Sequence, residues 1–280
     1  MSPYHYLPTE WVCALFVALF ALSTLLHLGQ AVYFRIWWLL PTAVLCGVGE
    51  IIGWSARLSS SIDIVPFNPF LIQISTTIIS PTFLVAANFI ILGRIILALG
   101  EQYSRLTPRA YSIVFITADV VALTIQAVGG GLASSAADPA GAEQGAKVML
   151  GGILLQFVAI IIYTALASEF LVRYFADWPL RKAGQRGPLD SRLRLMVIGL
   201  CISTFFLLIR TVYRTIELQD GWTGSVISNE KLFNALDGMP ITVAMFTLNV
   251  LHPGWLLFNA RQKTATMPPV EKLTSRSSDE

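Results

Sequence analysis

The sequence predicts an all-α protein, a polytopic bundle of seven transmembrane helices, and three observations predict it. The 280 residues are 55% hydrophobic and only 13% charged, with a mean hydropathy of +0.65. A soluble domain of this size needs far more charged surface. Seven apolar stretches are each long enough for a ~30 Å hydrocarbon core, which takes about 20 helical residues at ~1.5 Å apiece. Short polar turns separate them, and no low-complexity tract or internal repeat interrupts the pattern.

Taken in order, the first span (11–28) follows a segment without the basic residues of a secretory leader. The first cation is Arg35, so this span is expected to stay in the membrane. The second (36–56) carries Gly49-Glu50-Ile51-Ile52-Gly53, whose small residues let another helix come close. The third (70–93) contains Pro81, which removes a helical hydrogen bond and predicts a kink, with Asn88 beyond it. The fourth (111–132) runs into Gly129-Gly130-Gly131, where the backbone loosens or a neighbouring helix presses in. The fifth, sixth and seventh are 148–172, 195–213 and 232–258. A single membrane domain (1–258) is thus followed by a Ser- and charge-rich segment (259–280), expected to be a disordered cytoplasmic tail. Cys13, Cys46 and Cys201 all lie in apolar runs and read as buried small hydrophobes, not as a disulfide or metal set.

Lysine and arginine set the direction, because cytoplasmic loops collect them. One side gathers Arg35, the 94–109 arginines, the loop from Arg173 to Arg194 and the tail, fourteen cations in all. The other side holds Arg57, Lys147, Arg210, Arg214 and Lys231. The N-terminus is expected outside and the C-terminus in the cytoplasm.

A charge at mid-membrane costs roughly 2.5 kcal/mol even on the most lenient scale, so ionisable residues there face the bundle interior or a wet cavity. Glu50, Asp119, Arg210 and Asp237 are such residues. Arg210, Arg214 and Glu217 stand at i, i+4 and i+7, one stripe on the sixth span. Glu230 and Asp237 are likewise seven apart on the seventh, and Arg57 lies two turns beyond Glu50. An outward cluster of carboxylates and guanidiniums that cancel is expected. For Arg57, Arg214, Glu217 and Glu230 interfacial pairing is the better reading. For Asn88, Gln126, Gln156 and Asn249 hydrogen bonding between helices outweighs ligand contact. For Glu50, Asp119 and Asp237, function and structural pairing weigh about equally. His27 and His252 read as hydrogen-bonded helix-end residues.

Several functions lack support. No Gly-x-x-x-x-Gly-Lys-Ser/Thr loop marks a nucleotide-driven motor, and the last span has no interior lysine for a retinal Schiff base. A metal-dependent hydrolase needs about three ligands, and only His27, His252 and Asp119 lie at usable depth. No metal, cofactor or nucleic-acid partner is expected. The basic 173–194 loop suits anionic lipid, but topology already accounts for it.

The run Gly49-Glu50-Ile51-Ile52-Gly53-Trp54-Ser55-Ala56-Arg57 resembles the signature of the fungal RTA-like family, also called lipid-translocating exporters. So do Leu92-Gly93-Arg94, Asp119-Val120 with Gln126 and Gly129-Gly130-Gly131, and Arg210-x-x-Tyr213-Arg214-x-x-Glu217. Gly221-Trp222-x-Gly224, Glu230, Asp237 and His252-Pro253-Gly254 complete a match from about Tyr6 to Gly254. Trp54 and Phe233 depart from it, standing where tyrosine is expected. The resemblance implies seven spans, an outside N-terminus, no enzymatic domain and a place in the fungal plasma membrane. It also implies roles in sphingoid-base release, resistance to membrane-active compounds and tetrapyrrole handling.

On this reading the protein is an exporter of amphipathic lipids, sphingoid-base-like or sterol-like, or of related toxic compounds, toward the outer leaflet. Glu50, Asp119, Gln126, Asn88 and Asp237 are the substrate-binding candidates. Arg57, Arg210, Arg214, Glu217 and Glu230 are the charge-pairing residues, with Arg210 as counter-ion to Glu50 or Asp237. A seven-span receptor or stress sensor is the alternative, and an intramembrane lipid-modifying enzyme built on His27 and His252 a distant third. Membrane lipids and an amphipathic small molecule are the expected partners.

Overall fold

The computed structural model describes residues 6–63, 68–136, 138–181, 184–220 and 224–257. The expected tail (259–280) lies outside the described residues, as do Gly221 and Trp222. Seven helices are long and apolar enough to cross a membrane. They are α1 (Glu10–Tyr33), α2 (Trp37–Ile62), α3 (Asn68–Leu99), α4 (Pro108–Ser135), α5 (Pro139–Phe175), α6 (Ser191–Gln219) and α7 (Glu230–Leu257).

Local chemistry sets the ends. Thr107, Asp138 and Asp190 accept backbone N–H bonds at the starts of α4, α5 and α6, and proline fills the first position of α4 and α5. Asn229 does the same for α7. Arg35 takes a left-handed backbone (φ 53) to turn the chain from α1 into α2. Two helices are locally widened to π turns, Leu40–Val44 around Pro41 and Asn234–Gly238 just before Pro240. Proline lacks the N–H a regular turn would use, and the wider turn re-routes the neighbouring bonds. α7 breaks again at Leu251, ahead of Pro253.

Helix α3 is the hub, packed on α2, α4 and α6 and among the most buried spans. Glycines set the tightest approaches. A Cβ on Gly53 would stand 2.6 Å from Thr76 Oγ1 and 2.7 Å from Thr77 Cγ2, so α2 lies almost directly on α3. On Gly129 it would stand 2.3 Å from the Met149 nitrogen, and on Gly145 the same distance from the Ala133 nitrogen. The triple-glycine run therefore stays helical, and close approach of α5 explains Gly129. By contrast, α5 reaches α3 with long side chains: Gln156 to Thr82, and Tyr163 to the Asn88 carbonyl and the Phe89 ring. Leu25, Ile113, Val158 and Phe205 are exposed, the outward apolar face a bilayer requires.

Candidate functional site

A buried charge centre joins α3, α6 and α7. The i, i+4, i+7 stripe of α6 delivers Arg210, Arg214 and Glu217 to one face, and the π turn of α7 presents Asp237 to them. Gly238 makes that placement feasible, since a Cβ there would meet Trp54 Cζ2 at 2.6 Å. Arg214 grips Asp237 with two bonds, Nε to Oδ1 at 2.6 Å and Nη2 to Oδ2 at 2.7 Å, and gives Nη1 to Glu217 Oε2 at 2.7 Å. Arg210 Nε donates to Asp237 Oδ1 at 3.2 Å. The Tyr213 hydroxyl donates to Glu217 Oε1 at 3.0 Å. Thr77 of α3 accepts from Arg214 Nη2 at 2.9 Å.

Arg210 also serves the backbone that Pro81 leaves without a donor. Its Nη2 donates to the Thr77 and Ile78 carbonyls at 2.6 and 3.2 Å. Pro81 carries no N–H, so the Thr77 carbonyl four residues earlier has no helical donor. In hydrocarbon such a group must find another partner, and the guanidinium is that partner.

Two cations and two anions balance within this quartet. Glu50 is a fifth ionisable group, buried on α2 within electrostatic reach of Asp237, Arg210 and Arg214. Its Oε1 has no hydrogen-bond partner, and Trp54 Nε1 lies beside it outside bonding geometry. Arg57, on the same helix as Glu50, turns elsewhere: its Nη2 bonds the Tyr6 hydroxyl at 2.8 Å and stands 3.6 Å from Glu230. Two helical turns separate Glu50 from Arg57, about 10.5 Å of rise, which places Arg57 at the end of the bundle with its actual partners. Burial pushes the Tyr6 hydroxyl pKa up against the opposing pull of Arg57, so Tyr6 meets the guanidinium as a neutral acceptor. Glu230 in turn holds Thr9, accepting from its backbone nitrogen at 2.7 Å and its hydroxyl at 2.8 Å. Phe233 lies under both guanidiniums, 4.5 Å from Arg57 and 5.1 Å from Arg214, measured to the ring centre.

The remaining candidates are elsewhere. Asn88 is tied to Ser203 and Thr204 of α6 at 3.1 and 3.3 Å. Gln126 donates to Gln156 at 3.2 Å, and Gln156 donates to Thr82 at 2.6 Å. Asp119 is buried on α4 with Oδ2 bare. The structure thus gathers Asp237, Arg210, Arg214 and Glu217 around Glu50, sets Gln126 and Asp119 on the α4–α5 side of α3, and ties the Asn88 side chain to α6. A single cluster of all the acids does not form, because α3 stands between the two groups. Sequence reasoning missed Thr77, Thr82, Ser203 and Tyr163, whose types are too common in membrane helices to stand out.

The histidines sit on the α1–α7 seam. His27 Nε2 is 3.2 Å from the Met245 carbonyl, and His252 Nδ1 accepts from the Gly254 nitrogen while its ring stacks on Phe34. Among the described residues, no three His, Cys, Asp or Glu side chains gather as a metal-holding group.

Seven helices long and apolar enough to cross a membrane, with polar groups buried between them, define a multi-pass helical membrane protein. Residues 43–260 match the model of the RTA1 like protein family, and the chain belongs to that family. It is 26% identical over 285 residues to the sphingoid long-chain base transporter RSB1 of Saccharomyces cerevisiae, covering 90% of this chain and 73% of that one. It is 24% identical to protein RTA1 of the same yeast, over 77% of this chain and 66% of the relative. Against protein RTM1 the identity is 25%, over 70% and 61%. No solved structure matches the chain.

Proposed function

We propose that the protein moves, or helps to move, amphipathic lipids of sphingoid-base or sterol type from the inner toward the outer leaflet of the plasma membrane. One observation carries this reading. Among the described residues, Glu50 and Asp119 are the buried carboxylates with a bare oxygen, one on each side of α3. Leaving a buried acceptor unsatisfied costs about 1–3 kcal/mol, and more for a charged one. Such groups are understandable where a donor from outside the chain visits them. A lipid with an ammonium head is that donor: beside the balanced quartet, it supplies the one positive charge that Glu50 lacks. Asn88 and Gln126 serve as neutral hydrogen-bonding steps, and Asp237 keeps the charge centre closed with Arg210 as its counter-ion. The similarity to a sphingoid long-chain base transporter supports the substrate class.

The test is tolerance of fungal cells to a long-chain amine. Cells carrying Glu50→Gln or Asp119→Asn at wild-type protein levels are expected to lose tolerance. Unchanged tolerance in both would remove these acids, and with them the reading.

A further inference from the structure

We infer that the lipid passes along the seam between α3 and α5, entering and leaving through a cavity at each end. This rests on the transport reading above and locates the lipid at Asp119, one of its two acids. One half-open cavity of about 210 Å³ lies between α3, α5 and α6, lined by Leu92, Tyr163, Ala167, Cys201 and Thr204. The other, about 300 Å³, lies between α3, α4 and α5, lined by Ser75, Ile78, Gln126, Gly130 and Gly131. Ile79 and Leu92, one from each lining, are ~20 Å apart along α3 at ~1.5 Å per residue. The cavities therefore occupy opposite halves of the bundle.

Polar groups connect them. From the first cavity, Thr204 bonds Asn88, whose carbonyl accepts from Tyr163. Asp119 comes next on α4. It is bracketed by Phe115, packed on Phe89 and Tyr163, and by Ala122, whose carbonyl lies against Gly152 of α5. The Thr82–Gln156–Gln126 chain then leads to the second cavity. Two acceptors on this line are buried and bare, Asp119 Oδ2 and Gln126 Oε1, and the latter belongs to the cavity lining. Acceptors without donors fit a head rich in N–H or O–H, an ammonium or a hydroxyl, while the apolar walls fit a hydrocarbon tail. The side chains of Gln156 and Tyr163 reach from α5 to α3 here, so the seam parts by their rotamer changes, and among the described residues no close glycine contact joins the two helices.

The experiment fills the cavities. A Cβ at Gly131 meets nothing within 4 Å, so Gly131→Leu adds bulk without a backbone clash and raises helix propensity. Ala167→Phe does the same job in the first cavity, and Gly151→Leu, also in open space, is the control. In vesicles holding the purified full chain, movement of a long-chain amine should fall to roughly a tenth or less in both filled variants. The control should match wild type. In parallel, the same amine should slow modification of Cys201, the exposed cysteine, by a lipid-soluble maleimide; Cys13 and Cys46 are buried. Wild-type rates in the filled variants, or unprotected Cys201, would overturn the route while leaving transport intact. No movement by the wild type would overturn the transport reading itself.

Discussion

Arg210 donates to the carbonyl of Thr77 at 2.6 Å, the carbonyl that Pro81 leaves without its helical donor. Substituting the proline should weaken this dependence. Pro81→Ala restores an N–H for the Thr77 carbonyl, so Arg210→Met should cost less in that background than in wild type. Thermal unfolding of the four proteins in detergent gives the coupling, expected between about 0.5 and 3 kcal/mol. Strict additivity would show that the proline and the guanidinium are independent.

Asp237 takes three bonds from two arginines in a site sealed from water. Removing one partner of a buried ion pair costs about 3–5 kcal/mol because the other charge is left uncompensated. Asp237→Ala should therefore lower the unfolding temperature markedly. Glu230→Gln should do less, since Glu230 is more exposed and keeps its bonds to Thr9 as an amide. Equal shifts for the two variants would refute the assignment of the charge centre to α3, α6 and α7.

The glycines divide by what they face. Gly145 has backbone of α4 where a Cβ would go, at 2.3 Å, whereas Gly151 faces open space. Gly145→Leu should abolish the monodisperse peak in detergent chromatography, and Gly151→Leu should preserve it. Similar behaviour of both would mean that α4 and α5 are not packed through Gly129 and Gly145.

Orientation is tested separately. The excess of cations on the side of Arg94, Arg105 and Arg173 predicts an outside N-terminus. A protease added to intact cells should remove a tag at the N-terminus and spare one at the C-terminus. Cleavage of the C-terminal tag first would reverse it.

Much of this was legible in the residues, for physical reasons. Span length and apolarity fix seven helices, because the bilayer admits few other structures. The spacing of Arg210, Arg214 and Glu217 puts them on one face whatever they meet, and Asp237 is the acid that meets them. Asn88, Gln126, Gln156 and Asn249 bond between helices, as polar side chains in hydrocarbon must. What a linear pattern lacks is which helix lies opposite. Asp119 and Glu50 are both buried, yet they sit on α4 and α2, with α3 packed between those helices. The π turn that carries Asp237 leaves no periodicity, and only Pro240 after it hints at irregular bonding. Arg57 found Tyr6 and Glu230, both remote in sequence, over an acid on its own helix.

The most direct measurement compares a long-chain amine with an alcohol of equal length, crossing between leaflets of vesicles that hold the purified protein. The expected result is faster movement of the amine by wild type, with that preference abolished in the Glu50→Gln, Asp119→Asn double variant. Equal rates in wild type, or a preference that survives loss of both carboxylates, would contradict amine recognition by the two bare acids.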